Sequence, residues 1–242
     1  MSRESLLVIS AHVGDFVWRA GGAIALYGSR GHDVTVVCLA YGERGESARY
    51  WRQGLTLEQV KEKRHAEGVA AAEVLGANFV AFDADDYPLV ETSELRDRLV
   101  KLYRQVQPTV VLTHTDRDPW NQDHEVAHAV ATKARVIAQA AGYDPDSDVI
   151  GAPPVFLFEP HQTEYSGFMP DVLLDITGVW DRKLEAMKCM EGQQHLWEYY
   201  TEVATRRGVQ AQRNSGPNLG LVAETKAEAY QRVFPQVATE LS

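Results

Sequence analysis

The chain has 242 residues, 45% of them hydrophobic and 24% charged, which is the composition of a globular protein rather than a disordered, collagenous or coiled-coil one. Its formal net charge is −10, and it carries no basic tail or stripe, so nucleic acid is not an expected partner. No apolar run approaches a membrane span, the first one is too short for a secretory leader, and two cysteines, Cys38 and Cys189, make no disulfide framework; a cytoplasmic protein with no membrane partner is expected.

Leu6–Ile9 is a continuous apolar run stopping at Ser10-Ala11-His12, the pattern of a buried parallel strand. Phe16–Ser29 has helical spacing, with Val17, Ala20, Ile24 and Tyr27 as candidate buried positions and Gly31 as its end. Val34–Ala40 is a second β-branched run, and Thr56–Leu75 a long charged helix closed by Gly76. Phe79–Phe82 reads as a strand, Ser93–Val106 as a helix stopped by Pro108, Thr109–Thr113 as a strand and Glu125–Ala141 as a helix up to Gly142. Val155–Glu159 and Val172–Ile176 add two strands, and Trp180–Arg207 is mostly helix with a break near Gly192. This alternation predicts an α/β fold, a Rossmann-like, doubly wound, mostly parallel sheet with helices on both faces, as a single domain over residues 1–242.

Ligands of such sheets sit beyond the carboxyl ends of the strands. No Gly-x-Gly-x-x-Gly follows the first strand, Gly21-Gly22 comes too late for a pyrophosphate, and there is no Walker A lysine, so nucleotide cofactors are disfavoured. The strand exits instead carry His12 and Asp15, then His114, Asp116, Asp118, Asp123 and His124, then His161. A zinc enzyme site takes nitrogen and oxygen ligands and keeps one position for water, and His12, Asp15 and His124 would supply three ligands. Each residue also has a plainer use. Asp15 can cap the following helix, and Asp116 and Asp118 suit a turn before Pro119. His124-Glu125-Val126-Ala127-His128 also matches the H-E-x-x-H of zinc peptidases. Its first histidine falls at a helix start and the sheet is the wrong scaffold, which disfavours a peptidase.

At His12-x-x-Asp15 and Asp123-His124 the chain resembles the PIG-L/LmbE superfamily of zinc-dependent N-acetylglucosamine deacetylases. That resemblance implies metal ligands at His12, Asp15 and His124. The family's general base falls on Gly14, its following glutamate on Phe16 and its oxyanion-stabilising histidine on Asn121. Losing the base alone costs ~10²–10⁴-fold in rate, so plain deacetylation is not expected. The segments Asp15–Gly22, Gly42–Ser47, Gly151–Pro154, Phe158–Gln162, His195–Tyr200 and Arg207–Ala211 are similar to one branch of the superfamily, the 4-oxalomesaconate hydratases of gallate and protocatechuate 4,5-cleavage. That similarity implies addition of water to a carbon–carbon double bond conjugated to a keto group, giving 4-carboxy-4-hydroxy-2-oxoadipate.

Such a reaction needs a Lewis acid, a base for the water, an acid for the neighbouring carbon and cations for a small tricarboxylate substrate. Zinc is the implied metal, although manganese, iron or cobalt suit the same donors. Glu46 is the first candidate base and Glu43 the second. His161 is the candidate acid, or the group that handles the enol. Arg44 is the first choice for a substrate carboxylate, followed by Arg49 and Arg64, with Asn121 also facing substrate; the plainer use of Arg64 is an i,i+3 pair with Glu67. Asp123 is expected to orient His124. The polar segment Gln210–Asn214 is a candidate to reach a neighbouring site in a homo-oligomer, and Trp197, Tyr199 and Tyr200 are expected to pack in the core or between subunits. Two other classes stay open. An amide hydrolase with relocated catalytic residues would turn over N-acetyl sugars, and a non-enzymatic relative would bind metal and turn over nothing.

Overall fold

The computed structural model describes residues 3–215 and 219–238. Seven strands, β1 (Ser5–Ser10), β2 (Asp33–Ala40), β3 (Asn78–Ala84), β4 (Val110–Thr113), β5 (Val155–Phe158), β6 (Val172–Asp175) and β7 (Ala227–Arg232), form one sheet in the order β3-β2-β1-β4-β5-β7-β6. Pairing is parallel from β3 through β5, and β7 runs antiparallel to both its neighbours. The helices are α1 (Asp15–Ser29), α2 (Ala48–Arg52), α3 (Leu57–Leu75), α4 (Ser93–Val106), α5 (Gln122–Ala138), α6 (Thr163–Ser166), α7 (Trp180–Lys188) and α8 (Leu196–Ser215), with 3-10 turns at Thr177–Val179 and Glu191–Gln193.

The two-residue period of a strand divides β1 between two cores. Leu6 and Val8 join Phe16, Ile24, Leu75 and Met187 on the face covered by α1, α3 and α7, while Leu7 and Ile9 join Leu99, Tyr103, Val130 and Ala134 on the face of α4 and α5. Thr56 and Gln59 make a capping box at the start of α3, and Gly76 ends that helix in the left-handed conformation at φ 81°, a backbone geometry that costs glycine little. The chain leaves β1 for β2 and β3 on one side and returns to β4 and β5 on the other. Their carboxyl ends therefore splay apart between β1 and β4, where ligands of doubly wound sheets bind.

Three elements depart from the sequence pattern. Helix α5 starts at Gln122 and ends at Ala138, rather than spanning Glu125–Ala141, because the Asn121 side chain caps it by accepting from the Asp123 N–H at 3.2 Å. The break near Gly192 is a 3-10 turn, after which α8 runs past Arg207 to Ser215 and takes in Gln210–Asn214 as helix. Strand β7 has no strand-like composition (Ala-Glu-Ala-Tyr-Gln-Arg). Its second residue, Glu228, is nonetheless buried, because Lys183 of α7 pairs with it at 2.6 Å. Gly21 and Gly22 serve the same contact region: a Cβ on Gly22 would lie 2.5 Å from Ile176, and one on Gly21 would lie 3.3 Å from the Lys183 stem.

Candidate active site

Four side chains from the segments that follow β1, β2 and β4 meet at the β1/β4 edge. His12, Asp15, Glu46 and His124 each offer a ligand atom, and these atoms all lie within 4.8 Å of one another. His12 and Asp15 leave β1 through a tight turn in which Asp15 Oδ2 accepts from the His12 N–H at 2.9 Å. His124 lies in the first turn of α5. Glu46 comes from the loop after β2, where its N–H donates to the Gly42 carbonyl at 3.1 Å and Ser47 Oγ donates to the same carbonyl at 2.8 Å. The loop is fixed from the β3 side as well, since the buried Asp86 carboxylate accepts from the Arg44 and Gly45 N–H groups at 3.0 and 3.1 Å.

The donor chemistry fits a divalent cation. Both imidazoles are buried, and His12 Nδ1 and His124 Nε2 make no hydrogen bond. The opposite nitrogens are taken by carboxylates, His12 Nε2 by Asp123 at 3.1 Å and His124 Nδ1 by Asp118 at 2.8 Å. A carboxylate behind each ring fixes its tautomer and turns the free lone pair inward, the usual support of a metal-binding histidine. Without a cation the group is held by charge complementarity. Burial opposes charging His12, yet Glu46, Asp123 and Asp15 outweigh it and hold its pKa well above the ordinary value. Burial likewise works against ionised Asp15 and Glu46, yet His124 and His114 hold Asp15 well below the carboxylate range, and His12 holds Glu46 below it.

Several residues sit differently from their expected places. Asp123 braces His12 and not His124, because its two oxygens also accept from the Tyr87 and Leu89 N–H groups at 2.9 Å and point it toward β1. Asp118 braces His124 instead. Glu43 is buried away from the group, between Lys61 at 3.8 Å and Arg44 at 3.6 Å, and burial raises its pKa, with Asp86 adding to the rise. Arg44 turns outward to Asp85 at 2.8 Å and the Asp86 carbonyl at 2.9 Å, so acidic neighbours already neutralise it. Arg64 is 0% exposed and makes the helical pair with Glu67 at 2.5 Å, with further bonds to the Tyr41 carbonyl and Gln193. Arg49 and Glu46 both line a cavity of about 770 Å³, with Arg52, Gln193, Gln194 and His195.

Asn121 donates to Tyr87 Oη at 3.0 Å and to Glu46 Oε1 at 3.4 Å. His161 is half-buried and stacks on Tyr199 with centroids 4.4 Å apart; burial first, then Arg19, lower its pKa. Tyr200 is core, stacked on Trp18 at 5.5 Å. His128 stays outside the group, its Nδ1 on the His114 carbonyl at 2.8 Å, and this removes the second ligand a peptidase would need. His114 lies flat on His124 at 4.1 Å, but its Nε2 lone pair accepts the Ala11 N–H at 2.9 Å, and its pKa falls to about 3 through burial and His124.

Sequence reasoning did not single out Tyr87, Arg19 or Gln193. Tyr87 stacks near His12 at 5.8 Å, and Arg19 Nε lies 3.4 Å from Asp15. Arg19 follows Asp15 by one helical turn, and that spacing was the available signal.

Residues 7–135 match the PIG-L family, described as GlcNAc-PI de-N-acetylase. The chain is 52% identical over 244 aligned residues to the 4-oxalmesaconate hydratase of Pseudomonas putida KT2440, covering 99% of this chain and 93% of that one. A crystal structure of GalB, the 4-carboxy-2-hydroxymuconate hydratase of Pseudomonas putida KT2440, superposes with a TM-score of 0.95 at 52% identity over 100% of both chains. The N,N'-diacetylchitobiose deacetylase of Pyrococcus horikoshii shares the fold, with a TM-score of 0.77 at 21% identity over 95% of this chain and 83% of that one.

Proposed function

The chain belongs to the PIG-L family, and from that premise we propose that it is a hydratase acting on 4-oxalomesaconate, a hydro-lyase in the reverse sense, in gallate and protocatechuate degradation. Water adds across the double bond conjugated to the keto group and gives 4-carboxy-4-hydroxy-2-oxoadipate. The observation that carries this reading is the exchange of carboxylates in a deacetylase-like site. Position 14 is glycine, while Glu46 enters from the β2 loop to within 3.1 Å of His12 Nδ1. The 52% identity to the Pseudomonas putida hydratase over nearly all of both chains supports it.

His12, Asp15 and His124 would hold the metal, zinc by the preference of this nitrogen and oxygen set. When bound, it supplies a Lewis acid for the substrate oxygens or the attacking water. Glu46 takes a proton from water, and its position at the edge of the 770 Å³ cavity gives it access to substrate. Addition of hydroxide moves the double-bond electrons onto the keto oxygen as an enolate; His161, protonated from solvent, gives its proton to the neighbouring carbon, and Glu46 returns its own proton to solvent. The lowered pKa of His161 makes its imidazolium a strong donor to that carbon. Arg49, on the same cavity, binds one of the three substrate carboxylates, and Asn121 orients Glu46. No helix among the described residues is long and apolar enough to cross a membrane. A homo-oligomer in the cytoplasm completes the proposal.

The test follows the conjugated ultraviolet absorbance of 4-oxalomesaconate on addition of the protein. Rapid loss that chelation abolishes and zinc restores is the expected result. No loss with metal-loaded protein, together with acetate release from an N-acetyl sugar, would replace the hydratase by a deacetylase.

A further inference from the structure

The space beside Gly14 is filled from elsewhere in the chain. A Cβ built on Gly14 would collide with Gln193 Oε1 and lie 2.6 Å from Trp18 Nε1. Gln193 is the last residue of the 3-10 turn Glu191–Gln193 and is buried. Its amide is held at both ends: Oε1 accepts from an Arg64 terminal nitrogen at 3.0 Å, and Nε2 donates to Glu46 Oε2 at 3.4 Å. This orientation is dictated chemically. A guanidinium only donates and a carboxylate only accepts, so the amide oxygen must face Arg64 and the amide nitrogen must face Glu46.

Arg64 is itself immobilised. It is fully buried on α3, its Nε donates to the Tyr41 carbonyl at 3.2 Å, and another terminal nitrogen donates to Glu67 at 2.5 Å. Glu67 in turn accepts from the Tyr50 hydroxyl and from the Gly192 N–H at 2.8 Å. Gly192 immediately precedes Gln193, so the network closes on the turn that carries the amide. On the other side, Asn121 Nδ2 contacts Glu46 Oε1 at 3.4 Å. Each oxygen of Glu46 therefore meets one amide, one from the α5 cap and one from the turn before α8. An amide cannot take a proton from water at neutral pH, so the group beside Gly14 orients without acting as a base.

We propose that Gln193 is a positioning residue, locked by Arg64 and Glu67, that fixes the Glu46 carboxylate. Gly14 is required because any side chain there expels the Gln193 amide. This rests on the hydratase reading above for what Glu46 does, and on geometry alone for what holds it. Gly14 is then a specificity device: the absence of a side chain at 14 admits the amide that sets the carboxylate from the β2 loop.

The test compares Gln193→Met, which keeps volume and loses both amide contacts, with Gln193→Ala, Gly14→Ala and the Gly14→Ala/Gln193→Ala double variant. Expected is a fall in kcat of about 10–100-fold in each single variant with KM near wild type, the size seen when an orienting partner is removed. Gly14→Ala should cost little more once Gln193 is already alanine, because coupled sites are non-additive. Unchanged kcat in both Gln193 variants, a rise in KM without a fall in kcat, or a full Gly14→Ala effect in the Gln193→Ala background would each overturn the proposal, the last by assigning the damage to Trp18. Crystal structures of wild type and Gly14→Ala give a readout independent of turnover. The amide should leave its place and the Glu46 carboxylate should rotate. A Glu46 that stays put would sink the positioning role even in an active enzyme. A wild type that hydrates nothing would remove the assigned reaction and leave this structural comparison to decide.

Discussion

Two buried polar clusters lie against α1, one at each side of its first turns, and they differ in how their hydrogen-bonding capacity is met. In the first, Lys183 Nζ donates to Glu228 at 2.6 Å and to the Trp18 carbonyl at 2.9 Å, and Glu228 also accepts from the Gly22 and Ala23 N–H groups and from the Tyr230 hydroxyl. The Trp18 carbonyl and the Gly22 N–H would be partners in a regular helix, so the ion pair is built into the ladder of α1. In the second, His12 Nδ1 and His124 Nε2 are buried with no hydrogen bond, each turned inward by a carboxylate behind it, and they face only the carboxylates of Glu46 at 3.1 Å and Asp15 at 3.3 Å. A buried polar group with no partner costs about 1–3 kcal/mol, so natural cores remove such groups unless something else occupies them. The satisfied cluster builds the fold. The unsatisfied one gathers the donor atoms that a cation could take.

The sharpest way to break that distinction is to remove one member of each. His12→Ala deletes an inward lone pair, and losing a Lewis acid worth several kcal/mol should lower turnover by about 10³-fold or more. The metal-free protein should lose stability as well, because the ring also carries the Nε2 contact to Asp123 and the positive charge facing Glu46 and Asp15; kcat, bound metal per chain and urea unfolding check both halves. Lys183→Met leaves Glu228 as an uncompensated buried charge, and the expected cost is about 3–5 kcal/mol in urea unfolding, with turnover per folded molecule near wild type. If Lys183→Met lowered bound metal per chain as His12→Ala does, the two clusters would be doing the same work.

Sequence alone reveals these regions unequally. The strand exits were legible, because continuous apolar runs and helical spacing mark where strands end in a doubly wound sheet, and His12, Asp15 and His124 fall at strand exits or a helix start; the strand order that brings β1 beside β4 is a finding of the structure. The satisfied cluster was invisible. Strand β7 carries Glu228 as its second residue, and nothing local announces that Lys183 will neutralise it. The same limit governs the arginines and braces. Arg64 and Gln193 lie far apart in sequence and meet only when the turn Glu191–Gln193 docks on α3, and Arg44 faces outward because Asp85 and Asp86 follow β3 closely enough to capture it. Asp123 and Asp118 both neighbour His124 in sequence. Which carboxylate backs which ring depends on the direction each takes from the cap of α5, and chain order does not encode it.

Smaller changes sharpen the contrast by trimming one partner from each cluster. Asp118→Asn keeps an acceptor for the His124 Nδ1–H but removes the charge behind the ring, and metal affinity should fall by about 10–100-fold, as read by titration of the metal-free protein. Its stability without metal should change much less than its affinity. Tyr230→Phe removes one of the donors to Glu228 and leaves Lys183, Gly22 and Ala23 in place. Three donors still satisfy the carboxylate, so the loss should be that of a single hydrogen bond, about 1 kcal/mol, with metal affinity and kcat unchanged. A fall in metal affinity in Tyr230→Phe would mean that strain passes along α1 from Gly22 to Asp15. The two clusters would then be one mechanical unit, and the satisfied one would set the geometry of the other.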